Sequence, residues 1–189
     1  QGAMVRQIGY SPKEFAKIMI EKEGGLEQAK KLFDKNDLKP SNYLPLPVKK
    51  NSVGEQYSKI LTNTFKDNYD FRDYNRASSI FWPGNKLGHG REDIAKLWNS
   101  LKDIFTDIKF SIEHVGYLDE PIQNPRASVR WFLEGIHAKD SEAYEDKTNS
   151  KLFIMGINHA ELNKDGVIRE WVLFDEVAIW KQILMNKIK

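Results

Sequence analysis

Apolar residues recur every three to four positions over much of the first half of this chain, and at every second position over much of the second half. The first spacing places apolar side chains on one side of a helix, and the second places them on one side of a strand. The pattern therefore predicts helices first and then a run of strands.

Two short helices are predicted near the N-terminus. Ser11 offers a capping hydroxyl, and Pro12 directly after it suits the first helical position. The helix that starts here is predicted to run to about Glu23. The pair Gly24-Gly25 breaks it, and a second amphipathic helix is predicted from Leu26 to Asn36. Together they form a helical hairpin.

A linker separates this hairpin from the main domain. The stretch from Leu38 to Asn51 contains three prolines, which deny backbone donors and favour extended conformations: Pro40, Pro45 and Pro47. We therefore divide the chain into residues 1–52 and a domain of residues 53–189. Gln1-Gly2-Ala3 resembles the remnant of a cleaved purification tag, so we expect the native chain to start at Met4.

The main domain is predicted to open with helix, strand and helix. A long helix is predicted from Val53 to about Asp70, with Ser52 as its cap. The β-rich segment 77–82 stops at Pro83-Gly84, and a further helix opens at residues 88–93.

Four strands and a closing helix are predicted to follow. The strands are segments rich in β-branched and aromatic residues, at 108–118, 128–137, 152–161 and 167–174. Asp165-Gly166 is a strong hairpin signal, so the last two strands are expected to be antiparallel neighbours. The last helix is predicted from Glu176 to Met185. Helices packed on one face of a bent antiparallel sheet make an α+β fold.

Composition narrows the function classes. With 29 Lys and Arg against 27 Asp and Glu, the formal net charge is +2, which leaves no large field to gather nucleic acid or a membrane surface. The chain has no cysteine, and its four histidines have no close ligand spacing, so we expect no metal site. No apolar run approaches the ~20 residues of a membrane span, so a cytoplasmic location is expected.

Four short stretches, in order, resemble SnoaL-like proteins of the nuclear transport factor 2 superfamily. They are Phe81-Trp-Pro-Gly with Gly88-His-Gly-Arg-Glu-Asp-Ile, Val129-Arg-Trp-Phe-Leu-Glu-Gly-Ile-His137, Met155-Gly-Ile-Asn-His159, and Asp165-Gly-Val-Ile-Arg-Glu-Trp171 with Phe174-Asp175. The resemblance covers residues ~53–185. It implies a cone-shaped sheet with helices on its concave face, enclosing a pocket for a small molecule.

The resemblance also implies a chemistry. The family includes polyketide cyclases and proteins labelled ester cyclases, which act without metal or cofactor on carbonyl compounds. In the cyclases an aspartate near the end of the last strand serves as acid and base, and Asp175 occupies that place. A carboxylate in an apolar cavity has a raised pKa, which suits proton abstraction beside a carbonyl. A cyclase, isomerase or hydrolase is therefore expected.

The alternation of side chains along each strand, which we call strand parity, predicts which residues face the cone together with Asp175. Residues two apart share a face, so His159 and Asp175 are expected to reach the cone, and His137 is expected beside Trp131. His159 or His137 would then donate to a developing enolate oxygen. The expected pocket residues are Trp82, Trp98, Trp131, Asn158 and Trp171.

Structural alternatives exist for each candidate. Asp175 directly precedes the last helix and is equally suited to be its N-cap. His159 is also consistent with a buried histidine satisfied by a backbone carbonyl, and His137 with an exposed strand end. The alternative function is a non-catalytic module that binds an apolar ligand or forms a homodimer through the outer sheet face. In that case Arg130, Glu134 and Arg169 would form the rim of the interface.

Overall fold

A computed structural model describes residues 9–35, 52–67 and 69–187 of the 189-residue chain. Its helices are α1 (Pro12–Lys22), α2 (Leu26–Lys35), α3 (Ser52–Thr64), α4 (Gly90–Lys102) and α5 (Glu176–Asn186). Its strands are β1 (Tyr74–Trp82), β2 (Lys86–His89), β3 (Phe105–Leu118), β4 (Arg126–His137), β5 (Lys151–Asn163) and β6 (Gly166–Phe174). The predicted linker, residues 38–51, lies outside the described residues.

The six strands form one sheet in the order β2-β1-β6-β5-β4-β3. The strands β3 to β6 form consecutive antiparallel pairs, as predicted. The pair β1–β6 is parallel, which the sequence did not predict. Gly166 is the first residue of β6, directly after the two-residue turn 164–165, and its φ of +110° favours glycine, so the predicted Asp-Gly hairpin is confirmed.

The interior of the cone lies between the sheet and the helices α3 and α4. Along β4 the residues alternate strictly between buried and partly exposed, so one side of this strand faces the core over its whole length. Trp131 and Leu133 lie on the buried side, and Trp98 of α4 is buried in the same apolar core. The α+β cone predicted from the sequence is confirmed.

The largest differences from the prediction are at helix α3 and strand β2, whereas the other strands begin and end within three residues of the predicted bounds. Helix α3 ends at Thr64 rather than near Asp70, and the hydroxyl of Thr64 donates to the carbonyl of Leu61. Phe65, the first residue after the helix, stacks on Phe110 at 4.2 Å between ring centroids. Strand β2 was predicted as the loop before a helix.

The N-terminal hairpin is confirmed and packs against α5 of the same chain. Ser11 and Glu14 form a reciprocal capping box at the start of α1. Ile20, Ala29 and Met185 form a small buried cluster that joins both hairpin helices to α5. Across the described ranges, no helix is both long and apolar enough to span a membrane.

Candidate functional site

A buried carboxylate with four hydrogen-bond donors lies inside the cone. Glu170 on β6 is fully buried, and each of its two carboxylate oxygens accepts two hydrogen bonds. Oε1 accepts from the Tyr57 hydroxyl at 2.5 Å and from the Asn158 amide at 2.9 Å. Oε2 accepts from the Tyr74 hydroxyl at 3.0 Å and from Trp98 Nε1 at 3.2 Å. All four donors are uncharged, so no donor neutralises the carboxylate. We call these five residues the Glu170 cage.

Asn158 connects the cage to the next strand. Its side-chain oxygen accepts a hydrogen bond of 2.7 Å from Trp131 Nε1, while its amide donates to Glu170 and to the Tyr57 hydroxyl at 3.1 Å. These contacts fix which end of the amide faces the carboxylate. The orientation of the amide is therefore determined by its partners on both sides.

Aromatic rings surround the cage and exclude water from it. Trp98 makes edge contacts with Trp82 at 5.0 Å and with Trp131 at 6.3 Å between ring centroids. Phe65 and Phe174 pack on the same tryptophans. The carboxylate is thus enclosed by apolar surface.

Burial changes the acid–base properties of the cage. Loss of solvation raises the pKa of Glu170 above its ordinary value, and the four hydrogen bonds offset only part of that shift. Burial also raises the pKa of Tyr57 and of Tyr74 well above the ordinary value, and the negative charge of Glu170 adds to both shifts. Both hydroxyls therefore keep their protons and remain donors at neutral pH.

Strand parity explains how the chain builds this site. On β6, Glu170, Val172 and Phe174 are buried, whereas the residues between them are exposed. On β5, Asn158 pairs with Val172 and Ala160 pairs with Glu170, so both point to the same interior.

Four of the five predicted pocket residues lie inside the cone. Trp82, Trp98, Trp131 and Asn158 are all buried and meet around the Glu170 cage. Trp171 does not, because it lies on the outer face of β6 with 41% of its surface exposed. There it stacks on Phe81 at 5.4 Å.

The predicted position of His159 inside the cone is wrong. His159 pairs with Trp171 across β5 and β6, so the two side chains share the outer face. The sequence grouped these residues correctly but assigned the group to the wrong side of the sheet. The apolar neighbours of His159, Ile157 and Trp171, suggested an interior face, and the structure shows that the outer face is itself apolar.

Asp175 caps the last helix. Its Oδ1 accepts hydrogen bonds from the backbone amides of Val177 at 2.9 Å and Ala178 at 3.2 Å, which is the geometry of an N-cap. It lies four residues beyond Trp171, the partner of His159, which is about 13 Å of extended chain. The structure therefore does not bring the predicted Asp175–His159 pair together.

His137 is buried at the far end of β4 rather than exposed. It lies nine positions after Ser128, the partner of His159, which is about 30 Å along the strand. The hydroxyl of Thr148 lies 3.4 Å from Nδ1 of His137. Burial lowers the pKa of His137, so the ring is neutral at physiological pH.

The sequence prediction missed Glu170 and its two tyrosines. Glu170 could have been found from the alternation along β6. It lies on the side of the strand opposite Arg169 and Trp171, which is the side that also carries Val172. Tyr57 was identified only as part of an apolar helix stripe, and Tyr74 fell in a predicted connection. Within the described ranges, no three or more acidic or histidine side chains converge as metal ligands.

The outer sheet face carries an apolar patch bordered by charges. Its exposed large side chains are Phe81, Leu87, Met155, Ile157, Trp171 and Leu173, and we call this set the outer patch. At its rim Arg130 pairs with Glu113 at 3.1 Å, and Glu134 pairs with Lys151 at 2.8 Å and with Lys109 at 3.4 Å. Arg130 and Glu134 each form cross-strand ion pairs, as predicted, but with separate partners rather than in one network.

Solved structures share this fold over most of the chain. A protein from Shewanella putrefaciens CN-32 described as a SnoaL-like polyketide cyclase is 14% identical and has a TM-score of 0.57, covering 76% of this chain and 98% of its own. Another so described, from Jannaschia sp. CCS1, is 14% identical with a TM-score of 0.56, covering 72% and 97%. AclR from Streptomyces galilaeus, described as a hydroxylase, is 10% identical with a TM-score of 0.53, covering 71% and 87%.

Sequence comparisons add nothing to this fold assignment. No protein-family model matches the chain. No curated protein matches it either. The structural similarity establishes a SnoaL-like fold.

Proposed function

We propose, on the premise of this SnoaL-like fold, that the protein is a cofactor-free acid–base catalyst that acts on a small carbonyl compound inside the cone. Glu170 is the proton acceptor in this proposal. The observation that carries it is a fully buried carboxylate with a raised pKa, surrounded by neutral donors and aromatic rings. The role assigned to Asp175 in the sequence interpretation thus moves to Glu170.

The proposed reaction begins with a proton transfer. A carboxylate oxygen of Glu170 takes a proton from the carbon beside the substrate carbonyl, the C–H bond breaks, and its electron pair moves onto the carbonyl oxygen to form an enolate. Desolvation favours this step, since it makes the carboxylate a stronger base than an exposed glutamate. In a cyclase the enolate carbon then attacks a second carbonyl, and the resulting alkoxide takes the proton back from Glu170. In an isomerase Glu170 returns the proton to a different carbon of the enolate.

The cage also offers donors to the enolate oxygen. While Glu170 is charged, its oxygens hold the hydroxyls of Tyr57 and Tyr74 and the amide of Asn158. Once Glu170 accepts the proton, it loses its charge and binds these donors less strongly. A Tyr hydroxyl is then available to stabilise the new oxyanion, a contribution typically of ~100-fold or more in rate.

The structural neighbours support a small-molecule role for a protein of this fold but not a particular site. Two are described as SnoaL-like polyketide cyclases and a third as a hydroxylase, so the fold accommodates more than one chemistry. The argument for proton abstraction therefore rests on the Glu170 cage. The cytoplasmic location and the lack of a cofactor remain predictions from the sequence.

Deuterium exchange tests the proposal without knowledge of the natural substrate. The protein is incubated in D2O with a panel of aryl ketones and aryl keto esters, and the loss of each α-proton signal is followed by NMR. We expect accelerated exchange for at least one compound, and a loss of ~100-fold or more of that acceleration in Glu170→Gln.

A matched variant separates this effect from general damage. Glu161→Gln also removes a carboxylate with little exposure, at 7%, but one on the outer side of β5, so it should retain full exchange activity. Circular dichroism establishes that both variants are folded. Equal exchange by wild type and Glu170→Gln, or no exchange of any panel member above buffer, would make the cage a structural network and favour the non-catalytic alternative.

A second proposed property is a two-fold dimer through the outer patch. The patch is apolar at its centre, and its rim carries both positive and negative side chains, including Arg169 and Glu134. A surface with both signs is self-complementary when two copies meet about a two-fold axis. This property is compatible with either function, because the patch lies on the opposite side of the sheet from Glu170.

A further inference from the structure

A groove of about 730 Å³ lies on the outer side of the sheet, apart from the Glu170 cage. It is formed by strands β3 to β6 and has a mostly apolar lining. Its volume falls within the ~300–1,000 Å³ that is common for small-molecule sites. No residue of the Glu170 cage contributes to it.

The groove is built from two adjacent rows of paired residues. The first row, read from β3 to β6, is Gly116, Ser128, His159 and Trp171. The second row is Leu118, Arg126, Glu161 and Arg169. Residues paired directly across strands point to the same side. The two rows therefore place the indole of Trp171, the imidazole of His159 and the guanidinium groups of two arginines on one surface.

The charges in the second row are not all paired. Glu161 accepts from Arg169 at 2.9 Å and from Asn124 at 3.1 Å, which satisfies both of its oxygens. The side chain of Arg126 has no hydrogen bond or ion pair within the part of the chain that the structure describes, and the side chain of its neighbour His159 has none there either. The groove therefore carries one uncompensated guanidinium.

The apolar part of the groove lies beside this charge. Trp171 has 41% of its surface exposed and Leu118 has 44%. At Gly116 the absence of a side chain leaves room above the strand, since an added Cβ would have its nearest neighbour at 3.8 Å. A flat ring therefore has an indole to stack on and space to lie in.

We propose that this groove binds a planar aromatic carboxylate. The carboxylate pairs with the guanidinium of Arg126 and accepts a further hydrogen bond from Ser128 or His159, while the ring of the ligand stacks on Trp171. A guanidinium matches the two oxygens of a carboxylate, and aromatic rings prefer stacked contacts. The side chains of the groove carry one net positive charge, which suits a singly charged carboxylate better than a multiply charged phosphate.

Tryptophan fluorescence offers a direct measurement with 2-naphthoate as the probe. The other four tryptophans are at most 7% exposed, so quenching on titration reports mainly on Trp171. We expect saturable quenching by 2-naphthoate in the wild type. In Arg126→Gln the dissociation constant should rise about tenfold, because the charged hydrogen bond is lost. Arg126 is exposed, so this variant should fold normally.

Matched controls identify both the site and the charge. The neutral 2-naphthylmethanol should bind wild type and Arg126→Gln equally, since it lacks the carboxylate. Gly116→Leu should abolish binding by filling the groove, whereas Glu170→Gln should bind naphthoate as the wild type does. The last result also keeps this site independent of the proposed catalysis.

Three results would overturn the proposal. One is no saturable quenching by naphthoate at millimolar concentration. Another is an unchanged dissociation constant in Arg126→Gln. The third is an affinity for naphthoate that falls in Glu170→Gln but not in Gly116→Leu, because that would place the ligand in the cone.

Discussion

At the residue scale, the burial of Glu170 links its charge to the stability of the fold. Its pKa is raised above the ordinary value of 4.5 by loss of solvation, so the folded state favours the protonated form more than the unfolded state does. The stability that this preference provides is present below the unfolded pKa and is lost as the pH rises through the folded pKa. Deprotonation therefore acts against folding.

This linkage predicts that the difference in unfolding free energy between wild type and Glu170→Gln depends on pH. Gln cannot ionise, so the unfolding free energy of wild type minus that of the variant should fall as the pH rises from about 4.5 through the folded pKa of Glu170. Urea unfolding at a series of pH values measures it. A difference that rises over this range would mean that the four hydrogen bonds outweigh desolvation.

Asp175 gives a prediction that separates capping from catalysis. Asp175→Ala should lower the unfolding free energy by about 1 kcal/mol, because the amides of Val177 and Ala178 lose their acceptor. Asp175→Asn should be nearly neutral, since Asn caps helices about as well as Asp. In the exchange assay, Asp175→Asn should retain activity. A folded Asp175→Asn protein without exchange activity would return the acid–base role to Asp175.

The limits of sequence prediction are clearest at this scale. Parity grouped His159 with Trp171, and the structure agrees, but the prediction also placed Asn158 in the same pocket, although Asn158 faces the opposite side of β5. Parity does not tell which group faces inward, and the usual guide is that the apolar group is buried. Here both sides of β5 and β6 carry apolar residues, so that guide failed and Glu170 was overlooked.

At the element scale, the packing of β5 against β4 depends on a glycine. A Cβ at Gly156 would overlap the ring of Trp131, which is also held by its hydrogen bond to Asn158. Gly156→Ala should therefore destabilise the protein by about 1–3 kcal/mol, the range typical of overpacking. Gly116→Ala is the matched control on β3, where an added Cβ makes only ordinary contacts. Equal thermal unfolding of the two variants would contradict this packing argument.

Element identity was more predictable than element pairing. Capping and hairpin signals at Ser11 and Gly166 are local, so α1 and the β5–β6 turn could be identified from a few residues. The parallel pairing of β1 with β6 joins segments about 90 residues apart and leaves no local signal. Strand β2 has four residues, which is too short for a visible alternation.

At the scale of the whole molecule, one sheet separates two kinds of surface. Its inner side holds the Glu170 cage, and its outer side holds the aromatic groove at one end and the outer patch beside it. Trp171 belongs to both outer features. A ligand in the groove would therefore lie next to any subunit that covers the patch, so its binding could depend on the oligomeric state.

The dimer proposal gives the last prediction. Leu173 has 63% of its surface exposed in the outer patch, so Leu173→Glu should not unfold the protein but should place a carboxylate in an apolar interface. Light scattering on a sizing column at micromolar concentration should then show a wild-type dimer of about 44 kDa, twice the 22.0 kDa chain, and a Leu173→Glu monomer. Leu32→Glu, on α2 and 39% exposed, is the matched control and should remain dimeric. A monomeric wild type, or a dimer that Leu173→Glu leaves intact, would exclude this face as the interface.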